Sequence, residues 1–210
     1  RIETWIEKSH LKCKSCAGGS EPFLDEVLDN LYSFKSHLKA KNAIKVIDQL
    51  GSGAKKATGA LWVMKFVKIK GLKPTAFEEL VDEGTGDFSA DIIETLADGS
   101  KKFIECKSWA SKQSGMSNVP NQMINYFNTQ NNLSKFEFQF DPGRWVPSPS
   151  DLNLALKSNS NLFNISDEIV WAKYVSMVGA NIDDIPLGDI YALIDQITSP
   201  AIFSKIINPL

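Results

Sequence analysis

Histidine and cysteine are scarce in this chain: two His and three Cys among 210 residues. Three cysteines leave one unpaired under any pairing scheme, so a disulfide framework does not organise the fold. They fit a reducing compartment at the point of action. His10 and His37 lie far in sequence from the main acidic stretch, and there is no nucleophile-elbow motif, so Ser-His-Asp or Cys-His hydrolase chemistry is not supported. Gly84-Thr85-Gly86 lacks the Lys-Ser/Thr of a phosphate loop and reads as a surface turn. No apolar run approaches the ~18 residues of a membrane span. Internal repeats, low-complexity tracts and a signal-peptide pattern are also missing. The chain starts at Arg1, and a C-terminal module of a longer polypeptide is the expectation.

What is present is enough for a folded domain with a real core: 43% hydrophobic and 23% charged residues. The net charge of -2 argues at first sight against a nucleic-acid partner. The distribution argues otherwise. Residues 1–50 carry +1, residues 51–70 carry +5 with no acid, and residues 71–100 carry -7. Residues 101–150 carry +3 and residues 151–210 carry -4. An acidic block between two basic ones is the pattern of a metal-using site beside a phosphate-binding surface, and also of ordinary charge scatter.

The first 70 residues have helical period. Phe23, Val27, Leu28, Leu31, Phe34 and Leu38 recur at three- and four-residue steps. Ile44, Ile47 and Leu50 are expected on one face of the next helix, which Gly51-Ser52-Gly53 ends. Lys55 to Lys70 is a second long helical stretch, with Gly71 as its C-cap. After Pro74 the pattern changes. Phe88–Leu96 and Lys102–Trp109 are strand-like and joined by the turn signal Asp98-Gly99. Phe77 to Asp82 is open between a strand and a helix, because Thr75 and Glu78 fit a capping box. Pro120–Thr129 reads as a helix with Met123, Ile124 and Phe127 inward, and Lys135–Phe140 as a strand. Helical period returns from Asp151.

The segment that carries chemistry is Asp91, Glu105 and Lys107. Period two puts Glu105 and Lys107 on one face of a strand, and the hairpin brings Asp91 back beside them. Two carboxylates can hold Mg²⁺, which prefers oxygen ligands and keeps several waters. The metal polarises a phosphate oxygen and acidifies a bound water. Lys107 would orient or activate that water, or offset charge at phosphorus. Neither Glu105 nor Lys107 is expected deep in the core. The bland alternative is three ordinary charges on a scaffold hairpin.

These residues resemble the PD-(D/E)XK nuclease signature, as Asp91 … Glu105-Cys106-Lys107. The resemblance implies an α/β fold with a restriction-endonuclease-like core, flanked here by an N-terminal helical segment and C-terminal helices. It covers about residues 54–140. Ala90 stands where the family often has Pro. Phe77-Glu78 resembles the upstream Phe-Glu of toxin-type members, with Glu79 as a competitor. Gln122 lies where many members carry a helical Gln. The family resemblance makes Glu78, Asp91, Glu105, Lys107 and Gln122 the catalytic candidates, with Asp91 and Glu105 as ligands of a divalent metal: Mg²⁺, or else Mn²⁺ or Zn²⁺.

A nuclease behind a helical segment is similar to the C-terminal toxin of bacterial polymorphic or contact-dependent growth inhibition effectors. That likeness implies secretion or surface delivery within a larger effector, action in the cytoplasm of a target bacterium, and a cognate immunity protein. Residues 1–52 would then form a helical N-terminal segment, a candidate entry domain, and residues 53–210 the nuclease domain with a helical C-terminal extension. DNA is slightly favoured over tRNA as substrate.

Lys101, Lys102, Lys112 and Arg144, with the lysines of 55–70, are candidates for phosphate contacts, each weighed against a merely solvated position. Trp62, Trp109 and Trp145 are core by default, the last two being better placed to stack on a base. Cys13-x-x-Cys16 with His10 is half of a zinc site; an exposed thiol pair or labile disulfide is the plainer reading.

Overall fold

The computed structural model describes residues 20–52, 54–81, 88–109, 111–112 and 116–209. The Cys13/Cys16/His10 group, the Gly84–Gly86 turn and the first 19 residues of the N-terminal segment lie outside the described residues. The fold is mixed α/β, with eight α-helices and five strands among the described residues. It divides into two compact units, one built from the described residues up to 81 together with 89–108, the other from residue 88 and the chain from 109 onward.

The first unit packs three helices on a three-stranded antiparallel sheet. Helix α1 (Ser20–Phe34) buries Val27 and Phe34, with Leu31 partly covered on the same stripe. Helix α2 (Ala43–Leu50) buries Ala43, Val46 and Leu50. Its inward face is therefore rotated from the one expected: Ile44 is 56% exposed, and Ile47 is only partly buried. Helix α3 (Ala54–Lys70) is buried nearly all round between Ala60 and Val67, with Trp62 in the core. It ends at Gly71, whose φ of 61° suits only a residue without a Cβ penalty.

Strand β1 (Ala76–Leu80) settles the open choice at Thr75–Glu78 in favour of a strand. Strands β2 (Ser89–Thr95) and β3 (Lys101–Lys107) form the expected hairpin. Its loop closes through Leu96 and Ser100, with Gly99 at φ 79°. Phe77, Ile92, Ile104 and Cys106 lie on the sheet face that packs against α1, α2 and α3. By the alternation of a strand, Asp91, Ile93, Phe103, Glu105 and Lys107 belong to the other face.

The second unit contains α4 (Val119–Thr129), β4 (Phe136–Phe140), α5 (Pro149–Ser158), α6 (Glu168–Met177), α7 (Ile190–Ile197), α8 (Pro200–Ile206) and β5 (Ile207–Pro209). Strands β4 and β5 run parallel, with Phe138 opposite Ile207. Aromatic rings fill the core: Tyr126 stacks on Phe136 at 5.0 Å, and Phe127, Phe163 and Tyr174 meet edge to face or tilted around it. Met123, Ile124 and Phe127 are buried, as the helical pattern of α4 predicts. Local caps fix the helix starts: Ser148 accepts from Asp151 N–H, and Asp167 accepts from Ile169 and Val170 N–H.

Candidate active site on strands β1 to β3

Strands β2 and β3 stay in register from Thr95 opposite Lys101 to Ile92 opposite Ile104. Just beyond that register a side chain takes up the next strand-to-strand bond. Asp91 Oδ2 accepts the backbone N–H of Cys106 at 2.6 Å. This bond fixes the Asp91 carboxylate against β3, next to the two residues that flank Cys106. There Lys107 Nζ donates to Glu105 Oε2 at 2.5 Å and stands 3.8 Å from Asp91 Oδ2. Two carboxylates and one ammonium thus converge from adjacent strands.

The burial of Glu105 and Lys107 corrects the expectation that they avoid the core. The Glu105 side chain is 1% exposed, that of Lys107 9% and that of Asp91 22%. An ion held so far from water must be paired, and each partner here compensates another. The electrostatics follow. Burial pushes the Asp91 carboxyl above the usual range; Lys107 opposes this, Glu78 adds to it, and the Cys106 N–H opposes it again, leaving the net direction upward. Burial alone would lower the Lys107 ammonium, but the charges of Glu105 and Asp91 outweigh it and hold its pKa above the ordinary lysine value. Lys107 is therefore a cation at any physiological pH, suited to donating hydrogen bonds and placing charge rather than to removing a proton.

Glu78 enters through the register of β1. Ala76 and Phe77 face Ile93 and Ile92, while Glu79 and Leu80 face Ala90 and Ser89. The position opposite Asp91 is Glu78, which stands within the strand at φ 47°. Glu79, the competitor, is engaged elsewhere: Lys41 Nζ bonds its carboxylate at 2.6 Å and Lys101 Nζ lies 3.9 Å away. Lys41 pulls the Glu79 carboxyl below the usual range. Gln122 belongs to the second unit, half-buried on α4.

The donor set fits a hard divalent cation. Asp91 and Glu105 supply only oxygen, and the raised proton affinity of Asp91 marks a place where added positive charge is favourable. Among the described residues no group of three or more His, Cys, Asp or Glu side chains is placed to hold a metal ion. A cation here would complete its shell with water and phosphate oxygens, the habit of Mg²⁺.

The basic residues expected at a phosphate surface are largely engaged within the chain. Lys65 pairs with Glu26 at 3.3 Å and Lys68 with Asp29 at 2.5 Å, which ties α3 to α1. Lys112 pairs with Asp151 at 2.5 Å, and Arg144 Nε lies 3.7 Å from Asp141. Lys102 is half-exposed on β3. Trp109 and Trp145 bridge to one another by backbone and flank Phe140 edge-on, at 6.3 and 6.4 Å. They form part of the second unit's aromatic packing. The sequence pattern held no signal for Lys41 and Asn42, which contact Glu79 and Glu78 respectively. Their partners lie 38 and 36 residues away, beyond any local period.

Comparison with known protein families, with curated proteins and with solved structures finds no match to this chain.

Proposed function

We propose that this protein is a metal-dependent nuclease that hydrolyses phosphodiester bonds. The observation that carries the reading is the convergence of Asp91, Glu105 and Lys107, with the ammonium 2.5 Å from one carboxylate and 3.8 Å from the other. The sequence resemblance to the PD-(D/E)XK nucleases supports it, and with it a restriction-endonuclease-like core. In this reading Asp91 and Glu105 hold the cation. When bound, the metal supplies polarisation of a phosphate oxygen and a more acidic water. Lys107, kept charged by its neighbours, orients the attacking water and offsets negative charge that develops at phosphorus. The Cys106 N–H locks the Asp91 carboxylate in place. Glu78 adds negative charge opposite Asp91.

The resemblance to polymorphic toxins extends the proposal to an effector delivered into a neighbouring bacterium and neutralised by a cognate immunity protein, with DNA slightly ahead of tRNA as substrate. Purified protein incubated with plasmid DNA and with total RNA, with and without EDTA, tests the activity. Expression in a cell lacking an immunity partner tests toxicity.

A second reading rests on a specific observation. Lys107 already satisfies both carboxylates in a buried cluster, and such a cluster can serve a non-catalytic binding module purely as scaffold. That protein would show neither cleavage nor stabilisation by divalent cations.

A further inference from the structure

Among the described residues, two non-glycine positions have positive φ: Asn42 at 62° and Glu78 at 47°. They are 36 residues apart, and they touch. Asn42 Nδ2 donates to the Glu78 carbonyl oxygen at 3.3 Å. Asparagine tolerates the left-handed region; glutamate enters it at a cost, and such strain persists only where surrounding contacts over-determine it.

Contacts from the Lys41–Asn42 segment do so. Lys41 N–H donates to Thr75 O at 3.1 Å, and Phe77 N–H donates to Lys41 O at 2.9 Å. Lys41 Nζ bonds Glu79. The Lys41–Asn42 segment is thus laid along β1, with polar contacts on both sides of Glu78 and to Glu78 itself. Asn42 also stands at the N-cap position of α2, where an asparagine usually bonds the helix's own first N–H groups. Its side chain makes no such bond. Its amide nitrogen donates to Glu78.

We infer that Asn42 is a positioning residue: its amide holds the Glu78 backbone in the left-handed conformation at the β1 position opposite Asp91. The inference deepens the nuclease reading and rests on it for its functional consequence. The clamp itself is a structural statement that can be measured without that reading.

The decisive variant is Asn42→Gly, which keeps a residue at ease with positive φ at 42 and removes only the amide. Three measurements on the full chain separate the outcomes. The first is the three-bond HN–Hα coupling of Glu78 by NMR, expected to move to the value of an extended residue. The second is calorimetric binding of Mn²⁺ alone, expected to weaken about tenfold, the scale on which losing a group outside the ligand set is felt. The third is cleavage, expected to lose kcat with KM little changed. An unchanged Glu78 coupling in Asn42→Gly overturns the clamp. A changed coupling with wild-type Mn²⁺ affinity and kcat overturns the positioning role. If the wild-type chain itself neither binds Mn²⁺ nor cleaves, the nuclease reading falls and the positioning role with it, while the coupling still decides the clamp.

Discussion

Lys107 Nζ and Glu105 Oε2 stand 2.5 Å apart, on residues separated by a single cysteine in β3, with 9% and 1% of their side chains exposed. A charge pair this deep exerts opposite effects on stability depending on whether one member or both are removed.

Lys107→Met removes the cation and leaves Glu105 buried and uncompensated. The expected cost is about 3–5 kcal/mol, a fall in Tm of about 10 °C for a chain of this length. Glu105→Gln/Lys107→Met removes both charges while keeping volume, and recovers most of that loss. Thermal unfolding of the two single variants and the double variant gives the coupling directly. Equal Tm values for Lys107→Met and wild type would show that the pair is not buried as described.

Asp91→Asn keeps an oxygen to accept the Cys106 N–H and removes a charge that burial disfavours. The folded pKa of Asp91 lies above its unfolded value, so its contribution to stability is intact below the unfolded pKa and is lost as pH rises through the folded one. Asp91→Asn is therefore more stable than wild type at neutral pH. The difference vanishes as pH falls below the ordinary aspartate range. Tm against pH for both proteins checks the sign.

Divalent cation that binds only the native chain stabilises it by mass action, by about 2.7 kcal/mol at a hundred times Kd, and so raises Tm. Mg²⁺ or Mn²⁺ should stabilise wild type, EDTA should reverse the effect, and Asp91→Asn should abolish it. Differential scanning fluorimetry across a metal titration measures this.

Gly99→Ala is destabilising by about 1 kcal/mol. The cause is conformation, since φ is 79° and a Cβ there would meet nothing within 4 Å. Gly99→Asn should recover part of the loss, because asparagine tolerates the left-handed region. Urea melts of the two variants separate strain from packing.

The local devices of the fold were readable in the sequence. Asp98-Gly99 marks the hairpin, Gly71 the end of α3, and the alternation of Phe136, Phe138 and Phe140 a buried strand. What escaped depends on partners distant in the chain. The face of α2 turns on whether Ile44 or Val46 meets α3, a choice that an eight-residue amphipathic pattern leaves open. The lysines of α3 suggested a phosphate surface, but Lys65 and Lys68 find acids 39 residues upstream on α1. At the site, spacing placed Glu105 and Lys107 on one face and brought Asp91 beside them. It could not show that this face is buried, nor that Asn42 reaches Glu78, because neither follows from a period along the chain.

The proposed function makes Asp91, Glu105 and Lys107 a metal-dependent phosphodiesterase site. The most direct test is cleavage of plasmid DNA and total RNA by purified wild type and Glu105→Gln in Mg²⁺, with EDTA controls and folding verified by Tm. Wild type is expected to cleave, EDTA to stop it, and Glu105→Gln to lose at least about 10²-fold, the scale on which removing electrostatic stabilisation of a transition state is felt. Full activity in a folded Glu105→Gln, or no metal-dependent cleavage of either nucleic acid by wild type, would contradict the proposed function.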